Sequence, residues 1–130
     1  MPIQSTLRDG IIYTELSGEI VYDAVIAHTD FIFSLAGQVN NQYELHDHTR
    51  TQGMNLFADD IRKIAAYSLK LRNIFQHSFI AVYAPSDFAY GIARMFEAYF
   101  ELADHSIQAQ IFRDKTEAIE FLTHHMARYG

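Results

Sequence analysis

Apolar positions along this chain follow two rhythms. Ile3 to Leu7 and Ile11 to Leu16 are short β-like runs, and the Asp9-Gly10 pair between them signals a hairpin, because both residues tolerate positive φ. Gly18 is expected to end the second strand. From Val21 to Leu35 the period lengthens: Val21, Ala24, Val25, His28, Phe31, Ile32 and Leu35 fall on one helical face, and Gly37 provides a stop. Val39 to Gln42 reads as loop, Tyr43 to Asp47 as a third strand, and His48 to Met54 as a polar loop. Phe57 to Leu71 is a second helix with Phe57, Ile61, Ile64, Ala65, Ser68 and Leu69 inward. Asp59 and Asp60 stand at its positive end, where the dipole favours them.

Phe79 to Ala84 is almost wholly apolar. Such a strand is covered on both faces, which points to a parallel α/β sheet. Pro85-Ser86-Asp87 turns it into a helix from Asp87 to Leu102, with Phe88, Ile92, Met95, Phe96 and Tyr99 as its core stripe. Mid-helix Gly91 costs about 1 kcal/mol relative to Ala, so close packing against the sheet is expected there. Ile107 to Phe112 alternates apolar and polar, as a strand near a sheet edge does. Asp114 caps a final helix, Glu117 completes an Asp variant of the capping box, and Ala118, Phe121, Leu122 and His125 form the inner stripe. The expected order is β-β-α-β-α-β-α-β-α. It forms a single α/β domain over residues 1–130, with a mixed four- to five-stranded sheet, an N-terminal antiparallel hairpin and four helices.

Composition narrows the function more than the fold. The chain has 130 residues, 49% apolar and 20% charged, enough for one core without covalent staples. With no cysteine, thiolate catalysis and zinc-thiolate sites are excluded. The formal charge of −6 argues against binding a phosphate backbone, so no nucleic-acid partner is expected. The N-terminus lacks a basic-apolar leader and no apolar run could span a bilayer, so a cytoplasmic location is expected. Ten Phe and eight Tyr exceed what a small domain buries easily. An exposed apolar patch, and with it a homodimer, is a natural expectation.

The chemistry-bearing motifs are few. The six glycines are isolated, so no Gly-rich phosphate loop and no G-x-S-x-G elbow is present. His46 and His48 alternate along a strand and point to one face, the best spacing the chain offers a metal. A third ligand is not nominated, and the pair reads as solvated strand-end histidines, so no metal site and no cofactor is assigned. Ser86 reads as a helix cap and Asp87 as a first-turn acid favoured by the dipole, rather than as nucleophile and acid. Arg94 and Glu97 form an i,i+3 pair. No catalytic residue is assigned and no enzyme activity is expected.

The stretch Ala81 to Glu97 (AVYAPSDFAYGIARMFE) resembles the signature of the SpoIIAA-like, or STAS/SEC14-like, bacterial domains. Ile111 to Leu122 (IFRDKTEAIEFL) resembles their closing strand and helix. The likeness implies a four- or five-stranded sheet with packed helices and no established enzyme activity. Anti-sigma-factor antagonists of this type carry an Asp-Ser-Ser-Gly-like loop with a phosphorylated serine. The corresponding region here, Asp47 to Gly53, has Thr49 and Thr51 but no serine, and lacks that motif.

Two functions follow as expectations. The first is a non-catalytic regulatory or protein-interaction module whose face combines Asp47, Arg50 and Thr51 with Ser86, Asp87 and Arg94. The second is a SEC14-like carrier or sensor of a small apolar ligand, which requires a cavity lined by residues such as Phe31, Phe57, Phe96 and Phe100.

Overall fold

A computed structural model describes residues 2–71, 73–103 and 107–130. The hairpin forms as its turn chemistry requires. Strands β1 (Ile3–Arg8) and β2 (Ile11–Val21) pair antiparallel about Asp9 and Gly10, whose φ angles are 53° and 80°. Helix α1 (Tyr22–Ser34) follows, then β3 (Gln42–Asn55), α2 (Ala58–Ser68), a single 3-10 turn, β4 (Ser78–Tyr83), α3 (Asp87–Ala103), β5 (Ile107–Phe112) and α4 (Lys115–Tyr129). The sheet runs β1-β2-β3-β4-β5, with every pair after the hairpin parallel. β5 lies at an edge, as its alternation predicts.

Strand parity sorts the core into two layers. Ile11, Tyr43, Leu45, Phe79 and Ala81 face α4 and pack on its Ala118 and Leu122. The alternate residues face the other helices: Ile12 meets Ile32 of α1 and Leu35 just after it, while Ile80 and Val82 meet Ala89 and Ala93 of α3. α2 packs between α1 and α3. The last helix starts as expected, with the Asp114 carboxylate accepting the N–H groups of Thr116 and Glu117 at 2.7 and 3.2 Å.

Several sequence expectations are overturned. Gly18 does not end β2; with φ at 67° it sits at a register shift in the β2–β3 ladder, and the strand continues to Val21. The polar stretch His48 to Met54 is not a loop but the second half of β3, paired with β2 beyond the point where β4 ends. It reads as polar because a two-stranded extension buries little. Phe57 is 74% exposed, for it precedes α2 rather than joining its inner face. On α3 the buried residues are Ala89, Ile92 and Ala93, with Phe96 half-buried, whereas Phe88 and Met95 are exposed; small residues let the helix approach the sheet. Gly91 is exposed, and a Cβ there would meet nothing within 4 Å, so close packing does not explain it. The side chains of Tyr99 and Phe100 lie outside the described residues.

Candidate functional site

β3 is the centre of the sheet, and its side away from α4 carries Gln42, Glu44 and His46 where its neighbours carry Ile12, Thr14, Ile80 and Val82. Glu44 is 1% exposed. A carboxylate so buried must be paired or hydrogen-bonded. Thr14 Oγ1 donates to its Oε2 at 2.6 Å and Gln42 Nε2 to its Oε1 at 2.9 Å. From α1, His28 Nε2 reaches Oε2 at 2.8 Å. His46 Nε2 lies 3.0 Å from the same oxygen, but out of line with it, and is buried without a hydrogen-bond partner. Ser5 Oγ lies 2.8 Å from Thr14 Oγ1 and 3.3 Å from His28 Nδ1, tying β1 to the cluster.

The electrostatics follow from this geometry. Burial pushes the Glu44 carboxyl upward, but His46 and His28 pull harder, and it is held well below the usual carboxylate range. Burial pulls His28 down; the charge and hydrogen bond of Glu44 outweigh it, and its pKa is raised. His48, with no carboxylate of its own, is lowered to about 4, mainly by burial and further by His46, against a weaker opposing pull from Asp47. Its Nδ1 lies 3.0 Å from Thr51 Oγ1.

The three histidines border a cavity of about 80 Å³ between the sheet and helices α1 to α3. Its walls are mostly apolar, with Ile20, Val25, Val82, Ala93 and Phe96 among them, and its polar lining includes His28, His46 and His48. A water needs roughly 10–15 Å³ of such space, so the cavity holds several waters or one small organic molecule. An open groove of about 480 Å³ runs beside Pro2, Ala24 and Phe31 and meets the cluster at His28. A smaller void of about 40 Å³ touches Glu44 itself.

The six residues expected at a recognition face are distributed over β3, the corner after β4 and α3. Asp47 accepts from Thr49 and lies 3.5 Å from Lys115 Nζ. Arg50 faces Glu15 at 3.4 Å. Thr51 is buried against His48, which removes it as an accessible phosphoacceptor. Ser86 accepts the Ala89 N–H at 3.0 Å, the helix-capping role expected of it. Asp87 pairs with Arg113 at 2.9 Å, while Arg94 faces Glu97 at 3.8 Å, farther along α3. Asp47 and Ser86 do share one end of the sheet, because Asp47 is in register with Tyr83 just before the corner. His46 and His48 line the same cavity, as their spacing predicts. Sequence reasoning missed Glu44 and His28. Glu44 carried a signal, an acid two residues from His46 in a strand bound for the core. His28 carried only its place on the inner stripe of α1.

Neither a protein-family profile nor a curated protein matches the chain. Among solved structures the chain is similar to an uncharacterized protein of the DUF3478 family with a SpoIIAA-like fold, from Shewanella loihica PV-4. The two share 18% identity over 92% of this chain and 91% of that one, with a TM-score of 0.58. The fold is therefore SpoIIAA-like, as the resemblance of Ala81 to Glu97 implied, and at this identity the likeness speaks for the fold alone. No helix among the described residues is long and apolar enough to cross a membrane.

Proposed function

We propose that this STAS-like domain is a non-catalytic binding module whose cavity takes a small apolar molecule with one hydrogen-bonding end. The observation that carries the reading is the apolar cavity of about 80 Å³ with His28, His46 and His48 at its polar border. Ligand sites combine apolar walls with a few placed polar groups, and the Nε2 of His46, beside Glu44 but without a hydrogen bond, is such a group. Of the rings expected to line a pocket, Phe96 borders this cavity, Phe31 borders the outer groove, and Phe57 borders neither. Ser86, the nearest thing to a nucleophile at the sheet's carboxyl end, is engaged as a cap, which supports binding without turnover.

A titration with p-cresol, followed by NMR shifts of α3 and β4 amides, tests this. Saturable shifts at the cavity, weaker for toluene and lost in a folded Ala93→Leu variant, are expected. No saturable shift, or one indifferent to Ala93→Leu, rejects the reading.

A protein-interaction role has separate support. Phe88 and Met95, seven residues apart on one face of α3, are 52% and 45% exposed. That face suits a regulatory partner, a second copy of the chain included. Retention of one specific partner from the native host by the wild type, and its loss in Phe88→Asp/Met95→Asp, would support that role. A partner held equally by both would refute it.

A further inference from the structure

His28, Glu44 and His46 do more than border a cavity. Their ligating atoms all lie within 4.8 Å of one another. Two of the separations, 2.8 and 3.0 Å, are those of ligands sharing a small cation. Donors about 2.0–2.2 Å from an ion sit about 2.8–3.1 Å apart at octahedral angles and about 3.3–3.6 Å apart at tetrahedral ones, so a small outward shift of the rings would complete either. Glu44 and His46 alternate on one strand and so project to the same side, while His28 descends on them from α1.

The surrounding contacts orient this set as outer-shell partners orient metal ligands. Gln42 Nε2 holds the free oxygen of Glu44 at 2.9 Å, and Thr14 Oγ1 holds Oε2 at 2.6 Å. Ser5 Oγ stands 3.3 Å from His28 Nδ1. When Ser5 accepts that Nδ1–H, His28 Nε2 faces the carboxylate either as the N–H of an imidazolium, as in the ion pair above, or, in the neutral ring, with a lone pair that a metal ion can bridge to Oε2. The buried Nε2 of His46, without a hydrogen-bond partner, is a second nitrogen in the same position.

We propose that His28, Glu44 and His46 form a three-ligand site for a divalent transition cation, open on a further side to the apolar cavity. Two imidazoles and one carboxylate, with no thiolate, suit Zn(II), Co(II), Ni(II) or Fe(II) and disfavour Ca(II) and Mg(II). The outer groove meeting His28 supplies an entry path. The inference goes beyond the cavity's ligand and does not depend on it.

The test uses the full chain, stripped with chelator and dialysed into chelator-free buffer at pH 7.5. Co(II) titration is expected to give one equivalent of bound ion and a visible d–d spectrum, and to broaden the ring resonances of His28 and His46. Loss of an outer-shell partner typically costs 10–100-fold in metal affinity, so His46→Gln should weaken Co(II) binding by at least about 100-fold and Ser5→Ala by about 10-fold. His124→Gln, on the exposed side of α4, should change nothing. Circular dichroism establishes that each variant is folded, and the ring broadening reads the site in the wild type should His46→Gln unfold. Absence of Co(II) binding, unaltered affinity in folded His46→Gln, or broadening at His124 in place of His28 and His46 would each overturn the proposal. None of these results would alter the p-cresol titration.

Discussion

Glu44→Ala is expected to destabilise the metal-free protein by about 3–5 kcal/mol. The carboxylate is 1% exposed and meets Thr14, Gln42 and His28 within 2.9 Å. Truncation leaves those groups buried without their acceptor, and each orphaned polar group costs about 1–3 kcal/mol. Thr14 retains Ser5 and His28 can give up its proton, so the penalties do not simply add. Removing one partner of a buried charged pair costs about 3–5 kcal/mol, and the residual cavity works in the same direction. Against a total stability of about 5–15 kcal/mol for a domain of this kind, that is a large fraction. Urea unfolding at pH 7 in EDTA, with an unchanged m-value, measures it. Glu44→Gln keeps the volume and should cost less than Glu44→Ala. A double-mutant cycle with His28→Ala should return a coupling of about 1–3 kcal/mol. A cost below about 1 kcal/mol for Glu44→Ala, or strict additivity with His28→Ala, would refute the buried ion pair.

The depressed pKa of His48, about 4, gives a pH dependence with a definite sign. Both states are neutral there above about pH 6.5; below it the unfolded chain takes up the proton first, so stability falls as pH drops toward 4, by about 3 kcal/mol in all. His28, whose pKa is raised, acts the other way, its contribution being complete below pH 6.5 and fading as pH rises. Comparing wild type with His48→Gln by urea unfolding across pH 4–8 therefore isolates the His48 slope, which the variant should lack. Gly10→Ala should cost about 1–2 kcal/mol in a thermal melt, since φ is 80° and the new Cβ would stand 3.0 Å from Met126 Cε. Asp114→Ala should cost about 1 kcal/mol by removing both N–H contacts at the start of α4, measured by urea unfolding.

The fold was legible where local chemistry and burial agree. Asp9-Gly10 specified the hairpin turn, the apolar run at Phe79 specified a strand covered on both sides, and Asp114 specified the start of α4. It was not legible where the surroundings decide. The second half of β3 is polar because β4 has already ended and only β2 remains beside it. Phe57 sits on the correct helical period yet points into solvent, for periodicity carries no information about where a helix begins to touch the sheet. The site was half legible. Alternation placed His46 and His48 on one face, but the partners of His46 are one acid on the same strand and one histidine from a different element. Nothing local in α1 distinguishes His28 from an ordinary inner-stripe residue. Of the residues expected at a recognition face, the charged ones each stand beside a counter-charge, which local sequence did not foretell for Arg50, Asp87 or Asp47.

The placement of the cluster argues for use rather than for support. A parallel sheet centre is where leucine, isoleucine and valine stabilise most cheaply, and β4 beside it is built that way. Exchanging a buried ionic group for apolar residues of similar volume is often neutral or stabilising, whereas removing one member of it is costly. The cost of breaking the Glu44 cluster therefore does not account for its being there. Its position does: the two histidines beside the carboxylate both open onto the cavity, and one of them also meets the outer groove. Polar atoms needed only to satisfy one another would be sealed from both. A charged centre joined to solvent on one side and to an apolar hollow on the other is arranged to receive something that carries both characters.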